Sequence, residues 1–201
     1  MNPLVQHLRN IILFVLLGAA LGACVGSARE PLGNLSELGS DETIVVGRVE
    51  LVPALQKDEQ KIKGLNSASF EKKLFLFADE KYRVFKQEPQ LDDYAGRIEA
   101  TIGNNFFVRS NSKTFHILGG MMYLEVGGKE MNRAYFPGGY KATIRPGDKA
   151  IYIGTIQYHR NEFFDISKVS IVDDYDRANI EFKNKYGGKY TLSKALLTPA
   201  K

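Results

Sequence analysis

One cysteine, three histidines and no tryptophan limit the chemistry open to this 201-residue chain. Cys24 is the only thiol, so no internal disulfide can form. A transition-metal site would need several His, Cys or carboxylate ligands at defined spacing. His7 stands in the N-terminal stretch, and His116 in "TFHIL" and His159 in "QYHRN" are isolated, reading as sheet-face or hairpin residues. A catalytic serine requires a histidine and an acid. No G-x-S-x-G is present, and no glycine-rich loop ends in G-K-[ST]. The 23 acidic residues single out no pair for glycoside cleavage. "DDYD" (173–176) lacks the glycine and the later glutamate of a calcium loop and reads as a helix cap. The expectation is a protein that is not an enzyme and carries no cofactor and no metal.

The surroundings of Cys24 are more informative. Arg9 is the only charge before it, and "IILFVLLGAALGA" (11–23) holds thirteen residues without a polar side chain. A basic start, an apolar stretch of about 7–15 residues and small residues at the cut are the layout of a signal peptide. A membrane span needs about 20 apolar residues. The uncharged run 10–28 approaches that length, but Gly18, Ala19, Ala20, Gly22 and Ala23 thin its hydrophobicity.

Leu21-Gly22-Ala23-Cys24 resembles the lipobox of bacterial lipoproteins. The resemblance implies cleavage between Ala23 and Cys24, diacylglycerol on the Cys24 thiol, and an acyl group such as palmitate on the new amino group. Several acyl chains anchor durably where one does not. It further implies a bacterial envelope protein. Residue 25 is Val rather than the Asp that retains many lipoproteins in the inner membrane, which points to the outer membrane, facing the periplasm. The partner implied is the membrane itself, through the anchor.

The remaining sequence divides simply. Residues 1–23 read as signal peptide and 24–41 as lipid anchor and flexible tether, the latter rich in Gly, Ser and Pro. Residues 42–201 read as one folded domain, for which 44% hydrophobic residues suffice without disulfides. A chain beginning at Cys24 has 26 basic and 23 acidic side chains, well interspersed, which excludes a nucleic-acid partner.

Within 42–201, short alternating or β-branched runs recur about every ten residues, separated by turn residues. They include 42–52, 73–77, 81–86, 97–102, 106–110 and 149–158, the last apolar on both faces and therefore central. Gly119-Gly120 and Pro137-Gly138-Gly139 read as turns. Residues 53–65 suggest a weak helix. Residues 173–186 suggest a better one, with Tyr175, Ala178, Phe182 and Tyr186 on one face and Asp173 or Asp174 as cap. The fold expected is mainly β: an antiparallel β-sandwich with one C-terminal helix packed on it. Aromatic residues beside turns, Tyr135, Phe136 and Tyr140 above all, mark the loop 132–140 as the place for a binding surface.

"AYFPGGYKATIRPGDKAIYIGTI" (134–156) resembles the closing half of prealbumin-like β-sandwich domains of bacterial lipoproteins. That resemblance implies a prealbumin-like or immunoglobulin-like sandwich with a structural or binding role in the envelope, and an envelope protein or glycan as partner. Two alternatives remain open: a lipid-anchored enzyme acting on peptidoglycan or polysaccharide, and a surface-exposed ligand-binding lipoprotein.

Overall fold

The computed structural model describes residues 29, 31–57, 59, 71–79, 81–84, 96–126 and 130–200. Cys24, the expected Ala23–Cys24 cleavage point and the whole expected signal segment 1–23 lie outside them. Two sheets form a β-sandwich. One is ordered β4 (Asn105–Ser110), β1 (Thr43–Val52), β7 (Ala150–Arg160), β8 (Ile166–Val172), with β9 (Ser193–Lys194) also on β7. The other is ordered β10 (Thr198–Pro199), β6 (Glu130–Thr143), β5 (Thr114–Val126), β2 (Lys73–Asp79), β3 (Ile98–Thr101). Pairing is antiparallel except at β1–β7 and β7–β9, which are parallel. A β1–β7 pair buried on both sides explains why 149–158 reads as apolar throughout.

Alternation fills the interior. Val45, Val49 and Leu51 of β1 meet Leu74 and Leu76 of β2, Phe115 and Ile117 of β5, and Ile151, Ile153 and Tyr158 of β7. The outer face of the first sheet carries Ile44, Val46 and Tyr152, and helix α1 (Tyr175–Tyr186) covers them with Ala178, Phe182 and Tyr186. The apolar stripe read from the sequence is therefore the buried face, Phe182 fully so. Of the two cap candidates Asp174 occupies the N-cap position, while the preceding Asp173 accepts the Tyr175 N–H on its Oδ1 at 3.2 Å. Asp174 makes no side-chain cap bond. At the other end Gly187 closes the helix at φ 72°, where a side chain would be strained.

The glycine pairs are not turns. β5 runs unbroken through Gly119-Gly120, and β6 through Pro137-Gly138-Gly139. A bulge explains the glycines: Ile117 pairs with Tyr140 and Gly119 with Pro137, so Gly138 and Gly139 together face Leu118. A Cβ on Gly138 would lie 2.2 Å from the Leu118 carbonyl carbon, and Gly139 has φ 87°. Close backbone approach, not reversal, requires glycine here. The β5–β6 connection instead falls at 127–129, outside the described residues. The expected strand at 81–86 does not form at 82–84, and residues 85–95 lie outside the described residues. Residues 53–57 are not helical, and 60–70 lie outside.

The segment expected to be a flexible tether packs on the domain from Arg29 onward, apart from Glu30, which is not described. Arg29 donates its N–H to Arg97 O (2.8 Å) and its side chain to Gly96 O (3.0 Å) and Arg109 O (2.8 Å). Leu32 is 1% exposed, donates to Phe107 O, and accepts the Tyr186 hydroxyl at 2.7 Å. The small polar residues of 31–41 hide three leucines: Leu32 is buried beneath α1, with Leu35 and Leu38 packed around it.

Candidate binding groove

The chain between β7 and β8, Asn161-Glu162-Phe163-Phe164-Asp165, is braced by its own first residue. Asn161 Oδ1 accepts the N–H groups of Phe163 and Asp165, both at 2.9 Å. Its Nδ2 donates to Asp165 Oδ2 at 3.0 Å, and its N–H to Asp165 O at 3.1 Å. An Asx residue satisfying two following amides fixes a short loop without help from outside. The loop is strained nonetheless: Phe164 stands at φ 62°, a left-handed conformation costing a bulky residue about 1–2 kcal/mol.

Buried Arg160 supports that conformation. Its guanidinium carbon sits 4.2 Å from the Phe164 ring centroid, and it donates to Pro53 O, Ala54 O, Asn161 O and both oxygens of Glu59. Arg160 holds the Glu59 carboxyl below its ordinary range, the hydrogen bond being the largest cause. With Phe164 held inward, Phe163 is turned out and is 76% exposed.

Across from this loop runs β6. The loop and Arg133–Pro137 bound an open groove of about 710 Å³, with Leu124 between them. Its rim carries one cation, Arg133, and one anion, Asp165. The Arg133 guanidinium lies 6.0 Å from the Tyr123 ring centroid. A sheet-backed hollow with an exposed ring and one charge of each sign suits a flat ligand with polar edges, which aromatic faces stack on and side chains orient.

Of the three aromatic residues singled out from the sequence, Tyr135 and Phe136 line this groove and Tyr140 does not. None is in a loop, because 132–140 is strand. Phe136 is mostly core, edge-on to Tyr158 at 5.0 Å. Tyr135 packs on the outer face over Phe77, Leu118 and Met121. Tyr140 packs against the sandwich interior and pairs with Pro199 of β10. Phe163, Arg133 and Asp165 escaped the sequence reading. Two adjacent phenylalanines inside the polar run "RNEFFD" were the available signal, since alternation lets a strand bury only one of them.

The histidines come to different surroundings. His116 is buried on β5 beside Tyr82. His159 Nε2 stands 3.3 Å from Ser170 Oγ across the β7–β8 pair. A nucleophilic serine needs its histidine oriented by an acid, and no carboxylate bonds to His159 among the described residues. Among the described residues no three His, Cys, Asp or Glu side chains are grouped to hold a metal, and no helix is long and apolar enough to cross a membrane.

Another polar cluster is already occupied. Arg48, 1% exposed on the outer face of β1, donates to Glu181 Oε1 (2.9 Å) and Asn105 Oδ1 (3.3 Å) and faces Glu50 at 3.7 Å. Asn105 Nδ2 in turn donates to Glu181 Oε2 at 2.7 Å. The cluster ties α1 to the sheet rather than waiting for a ligand. No family model, no curated protein and no solved structure matches this chain.

Proposed function

We propose that this chain is a lipoprotein of the outer membrane, anchored at Cys24, whose sandwich binds an envelope glycan in the groove between β6 and the β7–β8 loop. One observation carries the binding role: Phe163 is held exposed by a braced and strained loop, on a groove that Arg133 and Asp165 also line. Strain of that kind persists where surrounding structure over-determines it, and it concentrates at ligand sites. With the backbone already fixed, binding has only the side chain of the exposed ring left to order, which favours stacking on a sugar face. The spacing of Leu21-Gly22-Ala23-Cys24 supports the anchor. That no carboxylate among the described residues bonds to His159, behind its contact with Ser170, favours binding over catalysis there.

The test uses the full-length lipidated protein in detergent, sedimented with purified peptidoglycan sacculi. Phe163→Ala should lose most of the sedimented fraction, while Ile180→Ala, an exposed apolar residue on α1, should not. Equal sedimentation of Phe163→Ala and the parent would overturn the groove. In cells, Cys24→Ser should accumulate unprocessed and take up no labelled palmitate; a mature, acylated Cys24→Ser product would overturn the anchor.

A further inference from the structure

The N-terminal segment does more than fill a cleft. Its bonds fix where the chain leaves the domain: Arg29 is clamped to Gly96, Arg97 and Arg109, at the start of β3 and the end of β4. These two strands are the neighbouring outer edges of the two sheets. Cys24 lies only five residues before Arg29. A fully extended chain of that length reaches at most about 18 Å. A membrane anchor at Cys24 therefore leaves this edge little room to turn away from the lipid.

The side chains at the exit suit such a surface. Exposed Lys185 lines the same depression as Arg29 and Pro31, and half-buried Arg97 and Arg109 flank the clamp through the carbonyls that Arg29 binds. Acids are present too, but Glu99 is paired with Lys73 at 3.1 Å and Glu42 faces Arg109 at 3.9 Å. Basic side chains within about 10 Å of an anionic surface feel its potential at ordinary salt.

The groove lies on the other side. In the second sheet one cross-strand row runs Ile98, Leu76, Gly120, Phe136. Phe136, at the groove, is thus three strand spacings from the β3 edge, about 14 Å. In the first sheet, Arg109 of β4 is level with Ile44 and Ala150. The groove loop leaves β7 after Arg160, ten residues beyond Ala150 and about 33 Å along the strand.

We propose that the β3–β4 edge of the anchored domain rests on the anionic phospholipid headgroups of the membrane that carries it, so that the groove opens away from that membrane. The proposal rests on the Cys24 anchor. It assigns the otherwise unexplained clamp a task, which is to set the orientation of the domain and not merely its distance.

The test uses the full-length lipidated protein in vesicles of phosphatidylethanolamine and phosphatidylglycerol. Acylation occupies the only native thiol, so an introduced cysteine is the sole labelling position. Lys185→Cys reports on the proposed contact edge and Glu162→Cys on the groove loop; both positions are exposed. With a fluorophore on each and a quencher on the lipid headgroups, the label at 185 should be quenched several-fold more than that at 162. Replacing phosphatidylglycerol by phosphatidylcholine should narrow the difference. Equal or reversed quenching in protein that floats with the vesicles overturns the orientation and leaves the anchor standing. An unchanged difference in phosphatidylcholine overturns the role of headgroup charge. Parent protein that does not float overturns the anchor, and the orientation with it.

Discussion

Glu181→Gln should cost more stability than Arg48→Met, although arginine is the residue at the centre of the cluster. The reason is where each charge goes when its partner is removed. Arg48 is 1% exposed, so after Glu181→Gln its guanidinium stays buried with Asn105 at 3.3 Å and Glu50 at 3.7 Å. Stripping one member from a fully buried pair costs about 3–5 kcal/mol. The Glu181 side chain is 38% exposed, so solvent already screens it, and the lost charge-assisted hydrogen bond is a better guide at about 1.5–3 kcal/mol. About 2 kcal/mol is expected. After Arg48→Met, Glu181 keeps Arg177 at 3.4 Å, Asn105 at 2.7 Å and water. A methionine fills much of the vacated stem, so the cost should stay within about 1 kcal/mol. Urea unfolding of both single variants and the double variant at neutral pH measures this. The double variant should match Arg48→Met alone, because with no buried charge the glutamate has nothing to neutralise. If Arg48→Met proves as costly as Glu181→Gln, the idea that a buried cation stripped of its nearest carboxylate is the liability is wrong.

Phe182 is fully buried on the sheet-facing side of α1 and Ile180 is 61% exposed on the same helix, so Phe182→Ala should cost about 3–5 kcal/mol and Ile180→Ala under about 0.5 kcal/mol in the same unfolding assay. Gly138→Ala should cost more than about 3 kcal/mol, since backbone atoms of Leu118 and Gly119 within 2.3 Å of the new Cβ cannot yield without breaking the bulge; circular dichroism and thermal melting read this. Arg160 depresses the Glu59 carboxyl below 4.5, so this pair stabilises the fold fully above that pH and the contribution is lost as pH falls through the lowered value. Glu59→Gln should therefore flatten the acid side of the stability profile measured by urea unfolding between about pH 3 and 6.

The strands were legible because most face the core on one side only. Ile98 and Ala100, or Phe106 and Val108, show period-two alternation in the bare sequence. The helix stripe was legible for the corresponding reason at period 3.6. What misled was glycine. A Gly-Gly doublet fits a tight reversal and a close backbone crossing equally well, and only the partner strand decides; at Gly138 that partner is Leu118. The clamp at Arg29 and Leu32 was hidden for a related reason. Its bonds run mostly from backbone or to backbone carbonyls of Gly96, Arg97, Phe107 and Arg109, and carbonyls have no sequence signature. Cys24 was read from its neighbours alone. The groove was half legible: Tyr135 and Phe136 are there, but its exposed ring depends on Asn161 turning two amides inward.

The parallel pairing of β1 with β7 sets a clock on synthesis. Ile44 opposes Ala150 and Val52 opposes His159, so the middle of the first sheet stays open until more than a hundred further residues have been made. At about 5–20 residues per second that interval lasts on the order of 5–20 seconds. Over that time β1 can pair in its sheet only with β4, itself more than fifty residues further on, and contacts so distant in sequence form slowly in any case. The last bolt is later still: the Tyr186 hydroxyl reaches back to Leu32 across 154 positions. A polypeptide emerging N-terminus first thus cannot close its first sheet until β7 has been made. On the proposed route to the envelope, where a chain crosses a translocation channel unfolded, such lateness keeps the first sheet open until the crossing is done.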